Sequence, residues 1–211
     1  MIDFKNKIIF VHVYKVAGIS ISRSLERNPF PKLTNNNEYL YYHYKKRFKN
    51  KNIIYKNEYI SKHSKAIEYK NYLKDDYKQY FKFAFVRNPY DWQVSLYSYM
   101  QQHENHPQHQ IVKNMDFNNY LIWRCSEDKN YQYEYLVDEE NNFIVDFIGK
   151  FENLDRDIKV LEEKLEFKFN LPFTNKSIRK NYKDYYDEKN KELIFKNFKK
   201  DFEILNYDSY L

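Results

Sequence analysis

Two short stretches of this 211-residue chain carry residue types suited to holding and moving an anion. The first is Lys15-Val16-Ala17-Gly18-Ile19-Ser20, which follows an apolar run from Ile8 to Val13. Such a run reads as a buried strand, and the small residues after it read as a strand-to-helix turn. A helix starting there presents leading N–H groups that have no acceptor inside the helix, which favours phosphate or sulfate. Gly18 is expected to let the turn tighten and a ligand approach the backbone. Lys15 adds a mobile positive charge. The competing reading is an ordinary strand-to-helix turn with no ligand.

The second stretch is Val86-Arg87-Asn88-Pro89-Tyr90-Asp91-Trp92-Gln93-Val94-Ser95-Leu96-Tyr97. It places Arg87 at a strand end and Ser95 about two turns into a helix that begins at Pro89. A guanidinium fork and a hydroxyl together suit a phosphate lying beside that helix. Alternatively, Arg87 pairs with Asp91 and Ser95 only packs. For proton transfer the candidate is His63, whose imidazole titrates near neutrality; the alternative is a surface histidine in a Lys/Ser-rich turn. His12 lies in the first apolar run and reads as a core histidine. His103, His106 and His109 share a polar loop; their spacing could bind a metal, but the favoured reading is solvated side chains that touch the acceptor, with no metal.

The elements that must position these residues alternate between strand and helix. Strands are expected at Ile8 to Val13, at Phe81 to Val86 and within Phe143 to Phe151. Helices are expected over about 19–27 and 64–73, from Pro89 to about 102, after Asp116, over 154–165 and near 188–202. Asp116 suits an N-cap, as does Asn153 or Asp155. Ile158, Leu161 and Leu165 form one apolar stripe. The polar stretch 101–110 reads as a loop. Strands alternating with helices predict an α/β fold with a parallel sheet. No repeat or linker divides the chain, so one domain over 1–211 is expected.

Composition narrows the function classes. Hydrophobic residues make up 42%, with 23 Tyr and 17 Phe, so the core is expected to be built from rings. A net charge of +6 suits an anionic ligand without demanding nucleic acid. The basic run 45–51 reads as a solvated face. A single cysteine, Cys125, excludes an intrachain disulfide and a thiolate metal cluster. No leader and no apolar run of about 20 residues is evident, which predicts a soluble, cytoplasmic protein without membrane insertion.

Taken together, these stretches resemble the sulfotransferases, and in particular the membrane-family glycan enzymes and their bacterial relatives. Lys15 to Ile21 resembles their 5′-phosphosulfate loop, and Val86 to Tyr97 closely resembles their 3′-phosphate motif. Lys62-His63-Ser64-Lys65-Ala66, Phe147 to Leu154 and Asn175 to Tyr182 extend the likeness over nearly the whole chain. The resemblance implies a three-layer α/β/α fold with a short parallel sheet, related to nucleotide kinases. It implies 3′-phosphoadenosine 5′-phosphosulfate as donor, a carbohydrate hydroxyl as acceptor and no metal. It further implies that Lys15, Val16, Ala17, Gly18, Ile19 and Ser20 hold the 5′ end, that Arg87 and Ser95 hold the 3′-phosphate, and that Arg179 with Lys176 closes over the nucleotide. His63 falls where related glycan enzymes carry a catalytic histidine. Residues 99–142, the least family-like part, would shape the acceptor site.

Two positions depart from the pattern: Ile19 stands where threonine is frequent, and Trp92 where a basic residue is common. They motivate a rival reading, a silent module that binds anionic glycans. Another rival is a kinase-like phosphoryl transferase on the same fold. That one is weakened because no second glycine and no Lys-Ser/Thr pair completes a triphosphate loop around Gly18.

Overall fold

The computed structural model describes residues 1–3, 6–27, 60–171 and 179–210. The basic run 45–51, the Asn-rich stretch 34–37 and Lys176 lie outside the described residues. In chain order the elements are β1 (Ile2–Asp3), β2 (Ile8–Val11), α1 (Gly18–Arg27), α2 (Ala66–Leu73), β3 (Phe81–Val86), α3 (Pro89–Gln102), α4 (His109–Val112), α5 (Phe117–Ser126), β4 (Phe147–Lys150), α6 (Leu154–Leu165) and α7 (Glu188–Ile204). They fall into two compact units. One comprises Met1–Val86 with Glu134–Pro172, the other Arg87–Tyr133 with Phe173–Leu211.

The first unit contains the whole sheet, in the order β1-β2-β3-β4. β2, β3 and β4 run parallel, and β1 pairs antiparallel with β2. Phe10, Phe83, Ala84 and Phe85 are fully buried. This is why β2 reads as a continuous apolar run and β3 as one broken only by Lys82, since parallel strands are covered on both faces. Phe10 stacks on Phe83 at 5.0 Å. Gly149 on β4 lies opposite Phe85 in register. The Phe85 ring covers it so closely that a Cβ there would come within 2.3 Å of Cε1.

Several expected boundaries shift. β2 ends at Val11, two residues short of the apolar run, and the ring of the next residue, His12, lies against the start of α1. β4 is shorter than the apolar stretch suggests, and Phe143 instead makes an isolated bridge with Val137. α6 has the expected limits, with Ile158 and Leu161 buried. Asn153 makes no side-chain cap bond. In place of a cap, the Asp157 carboxylate accepts the Lys150 N–H at 2.7 Å and ties β4 to the helix.

The second unit is helical. Asn88 caps α3 by accepting the Tyr90 N–H at 3.0 Å, and Pro89 occupies the first turn. Asp116 caps α5 through the Asn119 N–H at 2.8 Å, and Asp187 caps α7 through Asn190. The stretch expected as loop gains the short helix α4, because Val112 is buried and the His109 ring donates from Nδ1 to the Met100 carbonyl at 2.8 Å. Its neighbours bond locally as well. His103 Nδ1 lies 2.9 Å from the Tyr99 carbonyl, and His106 Nδ1 accepts the Gln108 N–H.

Candidate active site

The loop between β2 and α1 is built differently from the sequence expectation. Gly18 opens α1 with no positive φ, so it is not the residue that makes the turn. Lys15 (φ 64°) and Ala17 (φ 63°) take the left-handed conformation instead. Each such residue other than glycine stores about 1–3 kcal/mol, a cost that persists where the surroundings dictate the backbone. Val16 between them is fully buried and anchors the turn. Alternating φ signs aim successive N–H groups to one side, the geometry of an anion nest. Ala17 accepts the first helical bond, from Ile21 at 3.1 Å, and its methyl offers no acceptor of its own. The leading N–H groups of α1 therefore begin at Gly18, over a cap residue that cannot bond to them. Ser20 is buried and Ile19 is exposed.

Gly18 is needed for a different reason. A Cβ on it would fall 1.7 Å from His12 Nε2. The His12 imidazole thus presses directly on the start of α1. The ring is buried, stacks on Phe10 at 5.4 Å and meets the His63 ring at 4.6 Å. The His12 carbonyl also lies 3.0 Å from His63 Nδ1. A carbonyl only accepts, so Nδ1 carries the proton, and in the neutral ring Nε2 presents a lone pair. Tyr14, next to Lys15, meets the His63 ring edge-on at 6.1 Å. The His12 ring therefore lies against both His63 and the Gly18 end of the loop, and Tyr14, which leads into the loop, also meets the His63 ring. Beside His63, burial and then the positive charge of Arg23 hold the Lys62 ammonium below its ordinary pKa. Cations crowded in this way are relieved by an anion.

In the second unit the expected phosphate residues meet around a carboxylate. Arg87 Nε and Nη2 each lie 2.7 Å from Asp91 Oδ2, and Arg179 Nη2 donates to Asp91 Oδ1 at 2.5 Å. All three side chains are about nine-tenths buried. The pairing of Arg87 with Asp91 is thus realised, and Asp91 holds both guanidiniums in a trio with one net positive charge. Ser95 is buried one turn beyond Asp91 on the same helical face. Trp92 is fully buried and faces the Arg124 guanidinium at 5.6 Å. Tyr186 packs edge-on against Tyr90 and donates to the Tyr90 carbonyl at 2.9 Å. His12, and Asp91 as a shared counterion, were missed from the sequence. Nothing in residue type separates either from ordinary core or helix positions.

The family model described as "Sulfotransferase family" matches residues 1–208. The chain belongs to the sulfotransferase family. No curated protein and no solved structure matches it. Membership places it among the transferases of sulfuryl groups. The four-stranded, mostly parallel sheet and the seven helices among the described residues fit the three-layer α/β/α class of that family. Among the described residues no helix is long and apolar enough to cross a membrane. Among the same residues no group of three His, Cys, Asp or Glu is placed to hold a metal ion.

Proposed function

We propose that this sulfotransferase uses 3′-phosphoadenosine 5′-phosphosulfate and sulfates a hydroxyl of a carbohydrate acceptor, with His63 as the base. The observation that carries the reading is the bond from His63 Nδ1 to the His12 carbonyl, made by a residue whose own ring lies against the start of α1. With Nδ1 donating to that carbonyl, Nε2 is the ring atom assigned to take the acceptor's proton. The donor supplies a sulfuryl group already activated by a phosphate leaving group. The N–H groups of Ala17 to Ser20, the Ser20 hydroxyl and the Lys15 ammonium hold that 5′ end. They stabilise the negative charge that grows there, and each well-placed donor is worth on the order of 3 kcal/mol of barrier. The residues present fit such a group: the left-handed Lys15 and Ala17 shape an anion nest, and Arg87 with Arg179 keeps a net positive charge beside Ser95 for the 3′-phosphate. Residues 99–142 contribute the acceptor surface, and 1–211 acts as one domain.

The test is transfer of labelled sulfate to a panel of glycans, together with calorimetry against adenosine 3′,5′-bisphosphate. Lys15→Ala and Arg87→Ala are expected to abolish transfer nearly completely. His63→Ala is expected to keep nucleotide affinity and lose about 10²–10⁴-fold in turnover. Absence of binding at millimolar bisphosphate refutes the donor assignment. Binding without transfer to any glycan replaces the reading with the silent binding module, and preference for magnesium ATP replaces it with the kinase-like one.

A further inference from the structure

Arg87 is held at four atoms, two of them in its main chain. Gln132, forty-five residues away and fully buried, accepts the Arg87 N–H through Oε1 at 2.9 Å. Its Nε2 donates to the Arg87 carbonyl at 2.7 Å. One amide side chain thus pairs with both backbone groups of Arg87, as a neighbouring strand would. These are the groups left over where β3 has ended and α3 has not begun, and buried backbone groups must be paired. Gln132 is itself fixed. The Asp201 carboxylate on α7, also fully buried, accepts the N–H of Gln132 at 3.0 Å and that of Tyr133 at 2.9 Å. The Arg87 side chain bonds Asp91 through Nε and Nη2.

A junction that only needed its backbone satisfied would be served by a water or a turn. Here a carboxylate secures a glutamine and the glutamine secures a single arginine. Misplacing a binding group by about 1 Å costs on the order of a hundredfold in function, so a support that removes that freedom has a purpose beyond packing. We infer that Gln132 is a positioning residue that aims Arg87 at the 3′-phosphate, with Asp201 as its support. This rests on the donor reading above, and it makes selectivity for a 3′-phosphorylated nucleotide depend on a residue that touches no ligand.

The test compares the affinity of adenosine 3′,5′-bisphosphate with that of adenosine 5′-monophosphate by calorimetry, in the intact wild-type chain and in Arg87→Ala, Gln132→Ala, Gln132→Glu and Asp201→Asn. The wild type is expected to prefer the bisphosphate. Gln132→Ala should lose at least about tenfold for the bisphosphate, the scale of a hydrogen bond to a charged group, while affinity for the monophosphate stays within about twofold. Asp201→Asn should lose in the same direction. Gln132→Glu keeps the acceptor for the Arg87 N–H but lacks the donor for its carbonyl, and should fall between. If Gln132→Ala does not fold, Gln132→Glu decides. A folded variant that keeps the full preference while Arg87→Ala loses it overturns the positioning role alone. So does an equal loss for both nucleotides, the mark of a general structural effect. A wild type that does not distinguish the two nucleotides overturns the donor reading, and this inference with it.

Discussion

Gly18→Ala tests the coupling between the anion loop and the proposed base. The added methyl would lie 1.7 Å from His12 Nε2, 2.0 Å from Cδ2 and 2.5 Å from Cε1. Ordinary contact begins at 3.4 Å, so the ring must retreat by 3.4 − 1.7 = 1.7 Å. It has little room, being 4% exposed and enclosed by Phe10 and His63. Overpacking a core typically costs about 1–3 kcal/mol, and a retreat of this size belongs at the upper end. For a chain of this length about 3 kcal/mol lowers Tm by about 6–12 °C. Since His63 is tied to the His12 carbonyl, a shift near 1 Å at the base should also lower turnover on the order of a hundredfold. Calorimetric melting and sulfate transfer would be measured for Gly18→Ala, His12→Ala and the double variant. Removing the imidazole removes the clash, so the double variant should melt no lower than His12→Ala alone. A Gly18→Ala chain that melts and turns over like the wild type refutes the reasoning. So does simple additivity of the two substitutions.

Asp91→Asn leaves two buried guanidiniums without their shared counterion. Stripping one partner from a buried ion pair costs about 3–5 kcal/mol, and adenosine 3′,5′-bisphosphate should raise the Tm of this variant more than that of the wild type. An unchanged melting curve would contradict the shared-counterion role. The tyrosine-rich core predicts a limit in base. Burial raises the phenols of Tyr77, Tyr120 and Tyr186, and burial followed by the Glu188 charge pushes Tyr90 up to about 12. Folded chains thus keep protons that unfolded ones release. This stability is complete below about pH 10 and is lost as pH rises toward about 12. The tyrosinate absorbance of these four phenols should therefore appear together with the loss of circular dichroism above about pH 10, and their ionising with the fold intact would count against it.

Elements governed by local chemistry were legible in the sequence. β3 reads from an apolar run interrupted only by Lys82, α3 from Asn88-Pro89, and α6 from its stripe. The identity of the loop residues was legible too, but not their geometry. Left-handed Lys15 and Ala17 carry no compositional mark, because only glycine announces a positive φ. Gly18 suggests a flexible turn, whereas its φ is not positive and its position answers to the His12 ring. Asp91 looked like a partner for Arg87 alone, since Arg179 lies 88 residues further along the chain. Gln132 and Asp201 were invisible for the same reason, as a buried amide and a buried carboxylate acquire meaning only once folding supplies their partners.

The alanine at position 17 has a consequence for how the loop meets a ligand. A glycine there would sample both hands freely in the unbound chain, and an arriving anion would have to freeze it. An alanine confined to the left-handed basin by the buried Val16 has already surrendered that freedom during folding. Less conformational entropy then remains to be lost on association, and more of the contact energy appears as affinity. In a chain with only two glycines, an alanine thus gives this turn a stiffness that a glycine at the same position would lack.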